Sequence, residues 1–201
     1  KMGWNSQPTA QVIFENCKVP IKNLVGKEGD GFKIAMQGLD GGRINIASCS
    51  LGAAKACLEK SLIYVNDRTQ FGKKISDFQA TQFKLADMAT QLEAARLMVL
   101  KAASELDNLG QETTKSCAMA KRFATDIGFA ICNEALQLHG GSGYLSQYQI
   151  ERYVRYLRVH QILEGTNEDM RDIISRAIIN NRKYKMTDKY EVNKNAAILT
   201  L

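Results

Sequence analysis

The stretch Ile44-Asn45-Ile46-Ala47-Ser48-Cys49-Ser50-Leu51-Gly52-Ala53-Ala54-Lys55-Ala56-Cys57-Leu58 decides the fold. Ile44, Ala47, Leu51, Ala54 and Leu58 step by threes and fours, and Leu62 and Val65 continue the series. That spacing lays one apolar stripe along a helix, which must be buried against other elements. Upstream, Gly29-Asp30-Gly31 punctuates the chain and offers Asp30 as N-cap, so a long helix is predicted from there to about Asn66. Gly38, Gly41 and Gly42 interrupt its first half, each costing about 1 kcal/mol relative to alanine inside a helix. A plain kink explains them as well as a ligand or backbone packed close against them.

The same period recurs twice. Leu85, Met88, Leu92, Ala95, Val99, Ala102 and Leu106 predict a helix over about 77–109, ended by Gly110. Cys117, Ala120, Ala124, Ile127, Ile131 and Leu138 predict another over about 113–139. Gly140-Gly141-Ser142-Gly143 then breaks the chain, and a short amphipathic helix is predicted over about 147–159. A last helix, to about Arg182, carries Met170, Ile173, Ile174, Ala177 and Ile178. The fold class is therefore mostly α: nearly antiparallel bundle helices over 28–182, with a tail of no strong period over 183–201. Ahead of the bundle, Ala10, Val12 and Phe14 alternate with Gln11 and Ile13, which is a short strand signal. One or two strands make no independent sheet, so 1–27 reads as the last strand segment of a β domain.

Composition narrows the function. The 201 residues allow one sizeable core and one to two domains. The net charge of +6 is scattered among acidic residues, without the concentrated basic stripe and stacking aromatics of a nucleic-acid binder. Five cysteines, at 17, 49, 57, 117 and 132, are an odd number without CxxC spacing and predict small, reduced core residues. His139 and His160 lie far apart in sequence, so no metal site is expected. No apolar run reaches the length of a membrane span. The opening Lys1-Met2-Gly3-Trp4 has neither a signal peptide nor a domain-like start, and the chain reads as the C-terminal part of something longer.

Chemistry concentrates in Gln161-Ile162-Leu163-Glu164-Gly165-Thr166-Asn167-Glu168. Thr166 followed by Asp169 reads as a capping box with Asp in the usual Glu or Gln position, which places Glu164 at the mouth of a helix. Gly165 would let backbone approach a ligand closely. A carboxylate held in an apolar pocket has its pKa raised toward the range a general base needs. The plain alternative is an exposed loop residue that favours the helix N-terminus through the dipole. Arg68, in the connector Arg68-Thr69-Gln70-Phe71-Gly72, either clamps a phosphate or is simply solvated. The glycine loop at 140–143 lacks both the lysine of a P-loop and the strand before a Rossmann turn.

Taken together and in order, four runs resemble the acyl-CoA dehydrogenases: Gly41-Gly42-Arg43-Ile44-Asn45-Ile46-Ala47-Ser48, Arg68-Thr69-Gln70-Phe71-Gly72, Gln137-Leu138-His139-Gly140-Gly141-Ser142-Gly143-Tyr144 and Ile162-Leu163-Glu164-Gly165-Thr166-Asn167-Glu168. The resemblance covers nearly all of 1–182 and places the chain in that family's C-terminal part, which implies an up-down four-helix bundle. It implies a homotetrameric flavoprotein with FAD lying between domains and across a subunit contact. It also implies α,β-dehydrogenation of a short branched-chain acyl-CoA, with electrons passed to electron-transferring flavoprotein, and a mitochondrial matrix location. By resemblance Glu164 is the catalytic base. Arg68, Gln70, Phe71, Gln79, Gln137, Gly140, Gly141, Thr166 and Glu168 match FAD contacts, and Asp40, Arg43 and Gly165 match the substrate site. One branch of the family carries its base on the first long helix, where this chain has Gly42. An acyl-CoA oxidase, with the same base and oxygen as acceptor, and a non-catalytic oligomerisation bundle are the competing readings.

Overall fold

The stripe over 44–65 folds into α1 (Gly31–Asp67), which runs unbroken for 37 residues through all three glycines. Asp30 occupies its N-cap position, yet its carboxylate accepts the Lys27 N–H (2.9 Å) and so closes the preceding turn instead of the helix. The computed structural model describes residues 1–180. After α1 the connector expected over 68–74 is a small antiparallel hairpin, β1 (Thr69–Gln70) with β2 (Lys73–Lys74). Its two turn residues, Phe71 (φ 52°) and Gly72 (φ 79°), are both left-handed, the geometry whose twist matches paired strands. A 3-10 turn over Ile75–Asp77 follows, so α2 (Gln79–Asp107) starts two residues later than its period suggests.

The third stripe becomes α3 (Thr113–His139), and α3 is the hub, packing on α1, α2, α4 (Ile150–His160) and α5 (Asn167–Asn180). Side-chain contacts fix the directions. Thr114 bonds Asp40 and His139 stacks on Tyr64 at 4.4 Å, so α1 and α3 run parallel, while the Lys84–Glu134 ion pair runs α2 antiparallel to α3. The interior between the helices is lined with small residues, including Ala47, Ala54, Ala95, Ala102, Ala120 and Ala124, all fully buried. At Gly128 a Cβ would stand 3.1 Å from Ser50 Cβ and 3.2 Å from the Ser50 carbonyl, so α1 and α3 approach there as only small residues allow.

Three sequence expectations need amendment. The strand over 10–14 is not formed: no described backbone hydrogen bond engages residues 8–19, and Val12, Ile13 and Phe14 are exposed. Alternation marks a segment fit for a sheet, but a strand needs a partner, and no described strand pairs with this segment. The short helix begins at Ile150 because Gln149 takes a left-handed backbone (φ 64°) and cannot continue one. Cys57, Cys117 and Cys132 are buried and free as expected, whereas Cys17 and Cys49 are exposed. The end of the last helix at Arg182 and the tail over 183–201 lie outside the described residues. No described helix is long and apolar enough to cross a membrane.

His160 ties α4 to α1. Its Nδ1 lies 2.7 Å from Ser50 Oγ, and the Ser50 hydroxyl proton goes to the Ile46 carbonyl (3.0 Å), so Nδ1–H is the donor in the first bond. Burial, then the positive charge of Lys121, push the imidazole from 6.5 down to about 4. Between those values the unfolded chain takes up a proton that the folded chain refuses, so stability present above 6.5 is lost as pH falls toward 4. Burial lowers His139 in the same direction. The urea midpoint should therefore drop between pH 7 and pH 5, and His160→Asn should flatten that dependence without removing it. An unchanged pH dependence in the variant would refute this account.

Candidate active site

The chain between α4 and α5 closes on itself. The Asn167 N–H returns to the Gln161 carbonyl (3.0 Å), and between them Glu164 (φ 59°) and Gly165 (φ 87°) are both left-handed. A glutamate in that region is uncommon and is held only where its surroundings over-determine it. The capping box is present as read: Asp169 N–H donates to Thr166 Oγ1 (3.2 Å), and Thr166 N–H donates to Asp169 Oδ2 (2.7 Å). The fold thus starts α5 immediately beyond the turn.

The turn carries the half-buried Glu164 carboxylate over α1 at Gly42. A Cβ on Gly42 would stand 2.8 Å from Glu164 Cδ and closer still to Oε2. The absent side chain of Gly42 therefore makes room for the carboxylate, whereas Gly38 and Gly41 have nothing within 4 Å of that position. Between the two explanations left open for the helix glycines, close approach accounts for Gly42 alone.

Arg43, one residue on, is buried and braces the turn from α1. Its Nη1 donates to Asp40 Oδ1 (2.9 Å) and its Nε to the Glu164 carbonyl (3.4 Å), while Thr114 Oγ1 donates to Asp40 Oδ2 (2.7 Å). Asp40 and Arg43 also line a groove of about 490 Å³ with Phe32, Met36, Thr114 and Ile173. On the other side, Lys121 of α3 donates to the Gly165 carbonyl (2.7 Å) and to Asn167 Oδ1 (2.8 Å). No described hydrogen bond engages the N–H of Glu164 or of Gly165. Leu163, next to Glu164 in sequence, lines a separate groove of about 470 Å³ with Trp4, Val159 and Ile162.

The remaining singled-out residues divide between two ends of the bundle. Thr166 and Glu168 begin α5 beside Glu164, Thr166 within the capping box and Glu168 paired with Arg171 (3.3 Å). Arg68, Gln70, Phe71, Gln79, Gln137, Gly140 and Gly141 gather at the opposite end and all are exposed. Phe71 is 92% exposed on the hairpin tip, and Arg68 has no described ion pair. Gly140 takes a positive φ (56°), and a Cβ on Gly140 or Gly141 would meet nothing within 4 Å. Along α1, Gly42 and Tyr64 mark the two ends and stand roughly 33 Å apart at about 1.5 Å per residue. One chain therefore does not bring the two groups together.

Sequence reasoning missed Lys121 and Asp126 and gave Asn167 no role. Asp126 Oδ1 accepts from Asn167 Nδ2 (2.7 Å) and from Gln161 Nε2 (2.8 Å), which locks both ends of the turn to α3. The available signal was Cys117, Lys121, Thr125 and Gly128, a helical face on which a lysine and a threonine stand at buried spacing.

By architecture the chain is a bundle of helices organised around α3. The structure of butyryl-CoA dehydrogenase from Megasphaera elsdenii matches it with a TM-score of 0.81 at 44% identity, over 83% of this chain and 43% of that one. The acyl-CoA dehydrogenase C-terminal domain matches residues 29–179, and the chain belongs to the acyl-CoA dehydrogenase family. It is 57% identical over 179 residues to mitochondrial isobutyryl-CoA dehydrogenase of Bos taurus, and 54% identical over 178 residues to that of Dictyostelium discoideum. Each alignment covers 89% of this chain and 43% of the relative, so the chain spans less than half the length of these curated relatives.

Proposed function

We propose that the protein containing this chain is an FAD-dependent acyl-CoA dehydrogenase acting on isobutyryl-CoA, with Glu164 as the base. The observation that carries the reading is the Glu164 carboxylate, held over Gly42 by a turn whose carbonyls are bonded from two helices. The α C–H of a thioester becomes acidic only when its carbonyl is polarised, so base and hydrogen-bond donor must converge. Glu164 supplies the carboxylate, and its own N–H, free of described partners, is the donor for the thioester oxygen. Asp40 and Arg43 satisfy each other's charge and suit the wall of an acyl-CoA groove better than a clamp.

FAD fits the opposite end of the bundle. The exposed aromatic of Phe71 and the bare backbone at Gly140–Gly141 leave room for a planar ring system, and the guanidinium of Arg68 suits a diphosphate. Gln70, Gln79 and Gln137 add amides beside them, while Thr166 and Glu168 belong to a second contact near Glu164. The separation of the two groups on one chain agrees with the homotetramer that the family resemblance implies, in which each flavin is shared across a subunit contact. Bound FAD would accept the β hydride, while Glu164 keeps the α proton and methacrylyl-CoA is formed. Electron-transferring flavoprotein as acceptor, the mitochondrial matrix, and a division into 1–27, 28–182 and 183–201 complete the proposal.

The two relatives named for isobutyryl-CoA support the substrate. Apolar packing separates substrates by only about 1–3 kcal/mol per methylene, so the preference should be real but limited. In the full-length protein, kcat/KM with electron-transferring flavoprotein should be highest for isobutyryl-CoA, next for 2-methylbutyryl-CoA, then butyryl-CoA. A clear preference for octanoyl-CoA would defeat the substrate assignment, and faster reoxidation by air than by flavoprotein would favour an oxidase.

A further inference from the structure

Lys121 is the least expected residue in the bundle. Its side chain is wholly buried on α3, among Cys117, Thr125 and Gly128. Its two described hydrogen bonds go to neutral acceptors, the Gly165 carbonyl and Asn167 Oδ1, and no described ion pair includes it. A charged group in such a place is costly to bury without a direct counter-ion, and a well-packed apolar residue commonly serves stability better. Stability therefore gives a poor reason for a lysine here.

The peptide it holds gives a better one. The unit joining Gly165 to Thr166 is gripped from both sides: its carbonyl accepts from Lys121 (2.7 Å) and its N–H donates to Asp169 (2.7 Å). With both poles fixed, that peptide plane cannot rotate, and the left-handed Glu164–Gly165 backbone before it is held as well. Asn167, the second acceptor of the lysine, is itself locked to Asp126 and Thr125, so the ammonium joins the turn to α3 at two points. We infer that Lys121 is a positioning residue, which holds the Gly165–Thr166 peptide so that the Glu164 carboxylate stands over Gly42. This inference rests on the reading of Glu164 as the base.

Electrostatics agree with the geometry. Burial pushes the Lys121 ammonium down to about 8, against the attraction of Asp126, Asp169 and Glu164 and with the repulsion of Arg43. His160 of α4 faces it as well. The lysine is thus set among groups from every element around the turn, including the carboxylate it is inferred to place.

The test uses the full-length holoenzyme, with Lys121→Met to remove the donors and Lys121→Gln to keep a shorter, neutral one. Flavin reduction by isobutyryl-CoA is followed under anaerobic conditions, beside FAD content, Tm, KM and the isotope effect from deuterium at C2. Displacing the base should slow reduction about tenfold and enlarge the isotope effect, while KM changes less than twofold and FAD content stays full. Reduction at the wild-type rate with an unchanged isotope effect would overturn the inference. So would loss of FAD or Tm with a normal rate per bound flavin, or failure of both variants to yield holoenzyme, since each assigns the lysine to folding alone. Glu164→Gln in parallel separates the two readings. If Glu164→Gln stays active, the base assignment falls and the role of Lys121 with it. If it is inactive while Lys121→Met behaves as wild type, only the role of Lys121 falls.

Discussion

Replacing Glu164 by glutamine in the intact enzyme is expected to abolish turnover while FAD stays bound. Glutamine keeps the length and shape of the side chain and removes its ability to take a proton. The bonds that hold the turn reach the backbone carbonyls of Glu164 and Gly165, not the carboxylate, and the substitution leaves them in place. Of the groups proposed to hold the flavin, most stand at the far end of α1, and Thr166 and Glu168 near the change bond Asp169 and Arg171, not the Glu164 carboxylate. A positioned acid or base contributes about 10²- to 10⁴-fold, so kcat should fall by at least that factor. Anaerobic bleaching of the flavin by isobutyryl-CoA measures the step directly, and absorbance before substrate gives FAD content. Near-normal bleaching would reduce Glu164 to a residue of the helix mouth.

Much of this fold is written in local pattern. The period of the stripes placed α1, α2 and α3, because helix burial repeats every three to four residues and needs no knowledge of the partner. The Thr166–Asp169 box was legible for the same reason, being a contact over three residues. Non-local features were not. The turn at Phe71-Gly72 uses a phenylalanine where Asn-Gly would announce a hairpin, so sequence alone gave a featureless connector. Residues 10–14 have strand alternation but lack a partner among the described residues.

The site divides along the same line. Glu164 and the flavin candidates come from runs that resemble a family, and the structure places Glu164, Thr166 and Glu168 at one end of the bundle and the other flavin candidates at the opposite end, which linear order does not reveal. Lys121 and Asp126 belong to no local motif. Their partners lie 35 to 46 residues away in sequence, across the α3–α5 contact. Only a polar residue recurring on a buried face marks them in advance, and that signal says that a partner exists without saying which.

Gly42→Ala separates stability from activity more sharply than any other single change. Within a helix, alanine is favoured over glycine by about 1 kcal/mol, so α1 should gain or keep its stability. The new methyl group would sit 2.8 Å from Glu164 Cδ, a distance that real Cβ atoms do not keep. The obstacle is the end of a flexible side chain, so the carboxylate should swing away while the backbone turn, braced by Arg43 and Lys121, stays. A shift of about 1 Å in a reacting group can cost about 10²-fold, and kcat should fall by that order. Gly38→Ala is the matched control, since a Cβ there meets nothing within 4 Å and the same helix gain should come without loss of rate. Tm and the rate of flavin reduction, measured on both variants, settle the matter. If Gly42→Ala turns over like wild type, the carboxylate over Gly42 is not in its working position, and the geometry that supports Glu164 as the base loses its force.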